Sequence, residues 1–245
     1  MIELVFGYHA VFHALAAGRR KIHRLYIQKS LEKEETALLD LARRRNVTII
    51  FQEAVFFQKK AAPGVTHQGV VLESGAYPYV ALDTLFDESS LLILDEIQDP
   101  QNLGALCRSA YLLGVGGVVI PENHAASIGP GASHASVGAV EYLKISRVSS
   151  IAKCLESLKE NNFWVYGAAM KGAKEIQDEV FPAKTAFVIG GEERGLKRLV
   201  RERCDILLRI PMLKKEIDSL NASVSGGIFL YEILRQKLKK LQEKH

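Results

Sequence analysis

The sequence predicts a two-domain α/β protein in which a small N-terminal domain precedes a larger domain built on a parallel sheet. Its 245 residues are long for one hydrophobic core and sufficient for a small core and a medium one. The first third of the chain alternates short helical and strand patterns, whereas the rest is a run of apolar strands separated by helices. A turn-forming segment with Gly75 and Pro78 predicts the boundary, so we expect one domain over residues 1–76 and another over residues 77–245.

The N-terminal domain is predicted to contain two helices and three strands. A helix is expected over YHAVFHALAAG, ending at Gly18 because glycine commonly terminates helices. A second helix is expected over LEKEETALLDLARRR, and strands are expected over IHRLYIQ, VTIIFQ and QGVVLES. Residues 1–76 carry 11 Lys and Arg against 7 Asp and Glu, whereas the charges in the remaining residues balance. This excess suits contact with a polyanion such as RNA, although a solvated basic surface explains it equally well.

The C-terminal domain is predicted to be a parallel sheet covered by helices on both faces. Its strands read as short apolar runs, namely SLLILDEI, GGVVIP, WVYGAAM, TAFVIGG and DILLRIP. Helical patterns lie between them, in LGALCRSAYLL, IAKCLESLKE and EERGLKRLVRER. Ligands of such sheets gather at the carboxyl ends of the strands, so the three strand ends with unusual sequences are the candidate functional segments.

The chain reads as a soluble cytoplasmic protein without a metal site. It contains no apolar run of about 18 residues and does not begin with a basic segment leading into an apolar one. Its three cysteines are far apart, which predicts reduced thiols and no zinc site. HAVFH has two histidines four residues apart, but Ala10 stands where a zinc protease has glutamate, so we expect a packed helix there.

The first unusual strand end is DPQNLGALCRSA. Asp99 or Asn102 can cap the following helix and Pro100 suits its first turn, so a structural role alone explains the loop. Arg108 lies roughly 200° around this helix from Leu106 at about 100° per residue, and therefore points away from the core. It is either a solvated arginine or one presented to RNA or to a second subunit.

The other two strand ends combine glycines and helix-capping residues. Gly190 and Gly191 follow an apolar strand, but GGEERG lacks the G-x-G-x-x-G pattern, which disfavours a nicotinamide-dependent enzyme. The last strand is expected to end at Ile210 and Pro211, before a loop in which Ser219 or Asn221 could cap the final helix. That helix, over residues 222–241, carries an apolar stripe that either covers the core within one subunit or pairs two subunits: Val224, Ile228, Tyr231, Leu234 and Leu238.

Together these segments resemble a known enzyme family. DPQNLGALCRSA, IGGEERGL and IPMLKKEIDSLNASVSGGI resemble, in order and spacing, the three motifs of the SpoU (TrmH-like) RNA 2'-O-ribose methyltransferases. ASVGAVEYLKISRV resembles the family segment after the second strand of the catalytic domain. GYHAVFHAL and VTHQGVV resemble the substrate-binding domain of the RlmB-like branch. The resemblance covers nearly the whole chain.

The resemblance implies a fold, a cofactor and partners. It implies an L30e-like RNA-binding domain followed by a SPOUT-class α/β domain with a C-terminal deep trefoil knot. The cofactor would be S-adenosylmethionine, with its adenosine held near Gly190, Ile210 and Leu220. The enzyme would act on RNA as a homodimer, away from membranes and without a metal.

The family's catalytic residues map onto five positions. Arg108 would activate the ribose hydroxyl, and four residues would position it and the substrate, namely Asn102, Glu192, Ser219 and Asn221. A guanidinium is normally a poor base, so electrostatic stabilisation of the developing alkoxide by Arg108 is at least as plausible as proton removal. The RlmB-like front domain favours a guanosine of large-subunit (23S) ribosomal RNA as target. Transfer RNA methylation and a non-catalytic ribosomal-RNA-binding module are the alternatives.

Overall fold

The computed structural model describes residues 2–61, 65–170, 173–191, 195–214, 216 and 219–243. These residues contain two sheets, one within residues 2–75 and one within residues 90–209. We call residues 2–75 the N-terminal unit and residues 90–243 the C-terminal unit. No helix in the described ranges is long and apolar enough to cross a membrane.

The N-terminal unit is a four-stranded sheet with helices on both faces. Its strands are β1 (Ile2–Phe6), β2 (Ile22–Gln28), β3 (Thr48–Gln52) and β4 (Val70–Gly75), in the order β1-β4-β2-β3 with only β2 and β3 parallel. Its helices are α1 (Tyr8–Ala17), α2 (Thr36–Arg44) and α3 (Ala54–Lys60). Neighbouring strand residues point to opposite faces. Val70 and Leu72 therefore pack with α1 and α2, while Val71 packs with Phe57 of α3.

The C-terminal unit is a seven-stranded sheet whose recorded strand pairs are all parallel. In chain order its strands are β5 (Ser90–Asp95), β6 (Gly117–Pro121), β7 (Lys144–Val148), β8 (Trp164–Ala168), β9 (Lys174–Glu175), β10 (Thr185–Gly190) and β11 (Ile206–Arg209). In space they lie in the order β7-β6-β5-β10-β8-β11-β9. The parallel α/β sheet predicted from the continuous apolar runs is confirmed.

Within the described part of the chain, five helices cover this sheet. They are α4 (Pro100–Leu112), α5 (Pro130–Ala135), α6 (Ile151–Glu160), α7 (Arg198–Arg203) and α8 (Ala222–Gln242). Residues of α4, α5 and α8 share one core cluster, and residues of α6 and α7 share the cluster on the opposite face. Asp99 caps α4 by accepting a hydrogen bond from the Gln101 amide at 3.0 Å, as its sequence allowed.

Several element boundaries differ from those the sequence predicts. α2 begins only at Thr36, and a short 3-10 helix (Lys29–Leu31) precedes it. α7 covers only Arg198–Arg203 of the predicted helix, because Gly195 has the left-handed φ of +63° and interrupts a right-handed helix. β11 ends at Arg209, one residue before the expected Ile210, as Pro211 nearby has no amide hydrogen to donate to a ladder.

Buried charged contacts join the two units. Arg20 of the N-terminal unit is 5% exposed and Glu141 of the C-terminal unit is 1% exposed, with 2.8 Å between Arg20 Nη2 and Glu141 Oε1. Arg20 Nη1 also contacts Glu3 Oε2 at 2.9 Å. The Tyr77 hydroxyl donates to the Val140 carbonyl at 2.7 Å beside this network. These contacts hold the N-terminal unit against the segment between α5 and β7.

Candidate functional site

A cavity of about 390 Å³ opens at the carboxyl ends of three neighbouring strands. Because β10, β8 and β11 are adjacent and parallel, their last residues meet at one edge of the sheet. Ala168, Gly190 and Arg209 end these strands and all line the cavity. The wall is largely apolar and is completed by Ala169, Met170, Ile189, Gly191, Gly195, Leu196, Arg201, Leu208, Ile210, Met212, Ser219, Leu220, Ala222, Ser225 and Phe229.

Gly190 allows a close approach of backbone to backbone beside this cavity. A Cβ atom at this position would lie 2.2 Å from the Gly195 carbonyl carbon and 2.4 Å from the Leu196 nitrogen. The Gly195 amide donates to the Gly191 carbonyl at 2.9 Å, which closes the turn. Because only glycine fits, main-chain groups rather than a side chain form this part of the wall.

Asp95 anchors the chain that returns from this turn. Its carboxylate lies at the end of β5, is 2% exposed and accepts a hydrogen bond from the Lys197 amide at 2.9 Å. Burial raises the pKa of Asp95 above its ordinary value, and the hydrogen bond from Lys197 opposes that rise. The Lys197 ammonium pairs with Glu96 at 2.7 Å on the outer side.

Two predicted polar residues, from the first and third motifs, meet beside the cavity. The Asn221 side-chain amide donates to Asn102 Oδ1 at 3.1 Å, across 119 positions of the chain. Asn221 also caps α8, because its Oδ1 accepts hydrogen bonds from the amides of Ser223 at 2.8 Å and Val224 at 3.3 Å. Asn221 thus both caps α8 and contacts the first motif. Of the two residues that could have capped this helix, Asn221 does so and Ser219 does not.

Arg108 is exposed on α4, as its helical position predicts, and is not among the residues that line the cavity. The helix that carries it is held tightly on two sides. A Cβ at Gly104 would lie 2.6 Å from the Ala132 carbonyl oxygen of α5, and a Cβ at Gly226 of α8 would lie 2.3 Å from Leu106. The backbone that presents Arg108 is therefore fixed by close helix packing.

The structure brings most of the predicted residues to one place. Gly190, Ile210, Ser219 and Leu220 line the cavity, and Asn102 and Asn221 pair at the start of α4 and α8. Glu192 lies outside the described residues, and Arg108 stands on the outer surface of α4.

Sequence reasoning missed the part of the cavity formed by the β8 end and by the inner face of α8. Ala168 ends β8, and Ala169 and Met170 follow it. Phe229 of α8 stacks on Phe187 with ring centroids 4.2 Å apart. The carboxyl end of the predicted strand WVYGAAM was the available signal, since ligands bind at carboxyl strand ends. Small and apolar residues carry no chemical signature, so the sequence did not separate them from ordinary core.

This arrangement suits a ligand with a flat heterocycle and a polar tail. The apolar walls can enclose a ring, and the strand ends bring main-chain amides and carbonyls to its edge. Polar side chains also line the cavity, namely those of Arg201, Arg209, Ser219 and Ser225. Asn221, which pairs with Asn102, lies in the chain between the lining residues Leu220 and Ala222.

Two family sequence models match the chain. The SpoU rRNA Methylase family matches residues 89–231, and the model described as RNA 2'-O ribose methyltransferase substrate binding matches residues 4–80. The Bacillus subtilis (strain 168) protein YacO, which carries the name of a TrmH family tRNA/rRNA methyltransferase, is 36% identical over 245 residues and 96% of each chain. A Staphylococcus aureus (strain MSSA476) protein with the same family name is 33% identical over 241 residues, again covering 96% of each chain.

Solved structures agree with these matches. The SpoU methyltransferase AviRb from Streptomyces viridochromogenes, solved in complex with the cofactor AdoMet, superposes with a TM-score of 0.84 at 25% identity, covering 96% of this chain and 90% of that one. An rRNA methyltransferase from Sinorhizobium meliloti shares the fold at 22% identity, with a TM-score of 0.79 over 97% and 88% of the two chains. The chain therefore belongs to the SpoU family of RNA methyltransferases.

Proposed function

We propose that this enzyme transfers a methyl group from S-adenosylmethionine to a ribose 2'-hydroxyl of RNA. The observation that carries the proposal is the glycine-walled cavity at the ends of β8, β10 and β11, with the Asn102–Asn221 pair at its side, in a chain of this family. When bound, S-adenosylmethionine supplies an activated methyl group on a positively charged sulfur. The AdoMet complex of AviRb supports this choice of cofactor.

The residues present fit this cofactor. An adenine ring requires apolar walls and main-chain partners, which Leu196, Leu208 and the strand ends provide. Gly190, Ile210 and Leu220 are proposed to hold the adenosine part, since all three line the cavity. Calorimetric titration of the full chain with S-adenosylmethionine tests the site, and absence of binding would refute the proposed activity.

Arg108 is the proposed catalytic residue. Methyl transfer to a hydroxyl requires the oxygen to be held in line, its proton to pass to solvent and its developing negative charge to be stabilised. A guanidinium supplies that stabilisation without losing its own proton. Asn102 and Asn221 are proposed to orient the substrate, with Ser219 and Glu192 assisting. The Asn102–Asn221 hydrogen bond supports this role because it links the starts of α4 and α8.

Replacing Arg108 tests its role directly. We expect Arg108→Ala to lower the single-turnover methylation rate by about a hundredfold or more, on the order of 3 kcal/mol of transition-state stabilisation. Arg108→Lys should restore little, because the planar fork of the guanidinium is lost. The assay uses ribosomal RNA from a strain that lacks the protein, with saturating cofactor. Arg203→Ala, another exposed arginine, is the control and should retain its rate, whereas a wild-type rate for Arg108→Ala would end the assignment.

The proposed RNA target is a guanosine of 23S ribosomal RNA in the cytoplasm, with the domain over residues 1–76 binding RNA and the domain over 77–245 performing the chemistry. The substrate-binding match over residues 4–80 and the basic excess of residues 1–76 support this division. Relatives named tRNA/rRNA methyltransferases keep transfer RNA as the second candidate. Mapping 2'-O-methyl sites in RNA from a deletion strain separates these targets, and a complete lack of change would favour the non-catalytic binding module.

We also propose an L30e-like fold for the first domain, a trefoil knot in the second, and a homodimer. The knot is supported by the strand order. β10 lies between β5 and β8, and the chain continues from β10 to β11, on the far side of β8, before α8 returns to pack on α4. The dimer is supported by apolar side chains along α8 that stay 38% to 58% exposed in the described chain: Val224, Ile228, Tyr231 and Leu238. Light scattering at micromolar concentration tests the dimer.

A further inference from the structure

Six rings form a continuous series of contacts from the N-terminal unit to α4. We call Tyr8, His9, Phe12, His13, Tyr142 and Tyr111 the aromatic track. On α1, the Phe12 ring stacks on Tyr8 with centroids 6.0 Å apart and meets His13 edge-on at 5.6 Å. His13 then meets Tyr142 at 5.5 Å, and Tyr142 stacks on Tyr111 of α4 at 5.3 Å. The track therefore crosses from one unit to the other.

The rings of the track are only partly covered by the protein. The buried face of α1 consists of Ala10, Val11, Ala14 and Leu15. Tyr8 and Phe12 are half-buried and pack against this core with part of their rings, and His13 is also half-buried. Tyr111 is 43% exposed and Tyr142 is 38% exposed, and His9 is also exposed. Exposed aromatic rings in a contiguous row are the usual platform on which unpaired nucleic-acid bases stack.

The two ends of the track suit RNA. It begins within residues 4–80, which match the RNA methyltransferase substrate-binding model. It ends at Tyr111, three residues after Arg108, so the two side chains are neighbours on the surface of α4. Leu112, four residues after Arg108, flanks Arg108 on the side away from Tyr111, which is the side of α4 that faces α8. Arg108 thus stands between the track and the proposed dimer surface.

Cationic and hydrogen-bonding groups accompany the rings. His13 Nδ1 and the Tyr142 hydroxyl are 2.9 Å apart and hold the rings together across the two units. The exposed Arg45 donates to the Ala16 carbonyl at 2.7 Å, at the end of α1 and three residues beyond His13. Its remaining guanidinium donors are available to a phosphate of a strand lying along the track.

We propose that the aromatic track binds single-stranded RNA by base stacking and leads the strand from the N-terminal unit to Arg108. This inference rests on the proposed function and deepens it, because it names an unpaired strand as the form in which RNA reaches the site. Burial and the nearby His9 lower the pKa of His13, so its ring is neutral near pH 7 and suited to stacking.

The test measures binding of the full chain to a fluorescent 20-nucleotide oligouridine as a function of salt. Tyr111→Leu and Phe12→Leu keep an apolar side chain but remove the ring, and each should weaken binding about tenfold. The slope of log affinity against log salt should not change, because no phosphate contact is lost. Arg45→Gln should instead flatten that slope. Trp164→Leu removes an exposed ring at the start of β8, away from the track, and should leave affinity unchanged.

The outcomes separate this proposal from its alternatives. Wild-type affinity of Tyr111→Leu and Phe12→Leu for the oligonucleotide would overturn the track while leaving the proposed activity intact. Conversion of the wild-type particle to a smaller one by Tyr111→Leu in light scattering would also overturn it, since the ring would then contact a second copy. Calorimetry with S-adenosylmethionine on the same variants should give wild-type binding. If the wild-type chain does not bind S-adenosylmethionine in calorimetry, the proposed methyltransferase activity is refuted, whereas the binding of RNA to the track is not.

Discussion

The interface between the two units and the cavity at the strand ends bury polar groups in opposite ways. At the interface, Arg20 and Glu141 are both almost fully buried, and each charge has its partner inside the protein. In the cavity, the wall is mainly glycine, alanine and larger apolar residues, with a few polar side chains among them, namely Arg201, Arg209, Ser219 and Ser225. The interface is therefore complete within the chain, whereas the cavity is shaped to receive a partner from outside.

The same contrast appears in two buried carboxylates. Glu141 has an arginine at 2.8 Å, but Asp95, at the turn beside the cavity, is satisfied by the backbone amide of Lys197. A buried charge with an ionic partner is strongly destabilised when that partner is removed. At Asp95, burial raises the pKa of the carboxyl, and the hydrogen bond from the Lys197 amide opposes that rise. The contrast leads to three predictions, ordered by the size of the expected effect.

The largest effect is expected from breaking the interface pair. Arg20→Met leaves Glu141 buried without its cation, which should lower the free energy of unfolding by about 3–5 kcal/mol. The double variant Arg20→Met with Glu141→Gln removes both charges and should recover most of that loss. Urea unfolding of the full chain measures both. Equal stability of the single variant and the wild type would show that the interface charges are not coupled to folding.

A somewhat smaller effect is expected at the cavity wall. Gly190→Ala forces a Cβ against the Gly195 backbone, 2.2 Å away, and the turn must shift. We expect affinity for S-adenosylmethionine to fall on the order of a hundredfold, consistent with an overpacking cost of about 1–3 kcal/mol. Gly129→Ala is the matched control, since a Cβ there meets nothing within 4 Å. Equal affinities in calorimetry would mean that the turn beside Gly190 does not shape the site.

The smallest effect is a change in pH dependence at Asp95. Because burial raises its folded pKa above the ordinary 3.8, its favourable contribution is present below that value and is lost as pH rises through the folded pKa. Asp95→Asn keeps an oxygen for the Lys197 amide and carries no charge. Its stability relative to the wild type should therefore increase between about pH 4 and pH 7 in urea titrations. A relative stability that falls over this range would contradict the assigned pKa direction.

Much of the fold could be predicted from local patterns. The parallel sheet followed from continuous apolar runs, and α4 followed from Asp99, Pro100 and the stripe behind them. Boundaries were predicted less well where a conformation depends on one residue or on distant packing. α3 escaped notice because its seven residues are short for a helical period and only Phe57 is buried.

The candidate site was likewise predicted only in part from the sequence. Gly190, Asn102 and Asn221 stood out because glycines and capping residues at strand ends are visible in a sequence. The 3.1 Å contact between Asn102 and Asn221 was not visible, because 119 positions separate them. The residues after β8 were overlooked because their side chains are small and apolar, and their importance comes only from the strand next to them.

The sequence by itself determined the α/β fold class, the segments that resemble the family motifs and the outward direction of Arg108, since each depends on periodicity or on residue type within about 20 positions. Only the tertiary structure decided that β8, β10 and β11 share an edge, that Arg20 reaches Glu141, and that six rings join across two units. Strand order and long-range pairing arise from packing between elements far apart in the chain. Local patterns state which face of each element is apolar but not which partner will cover it.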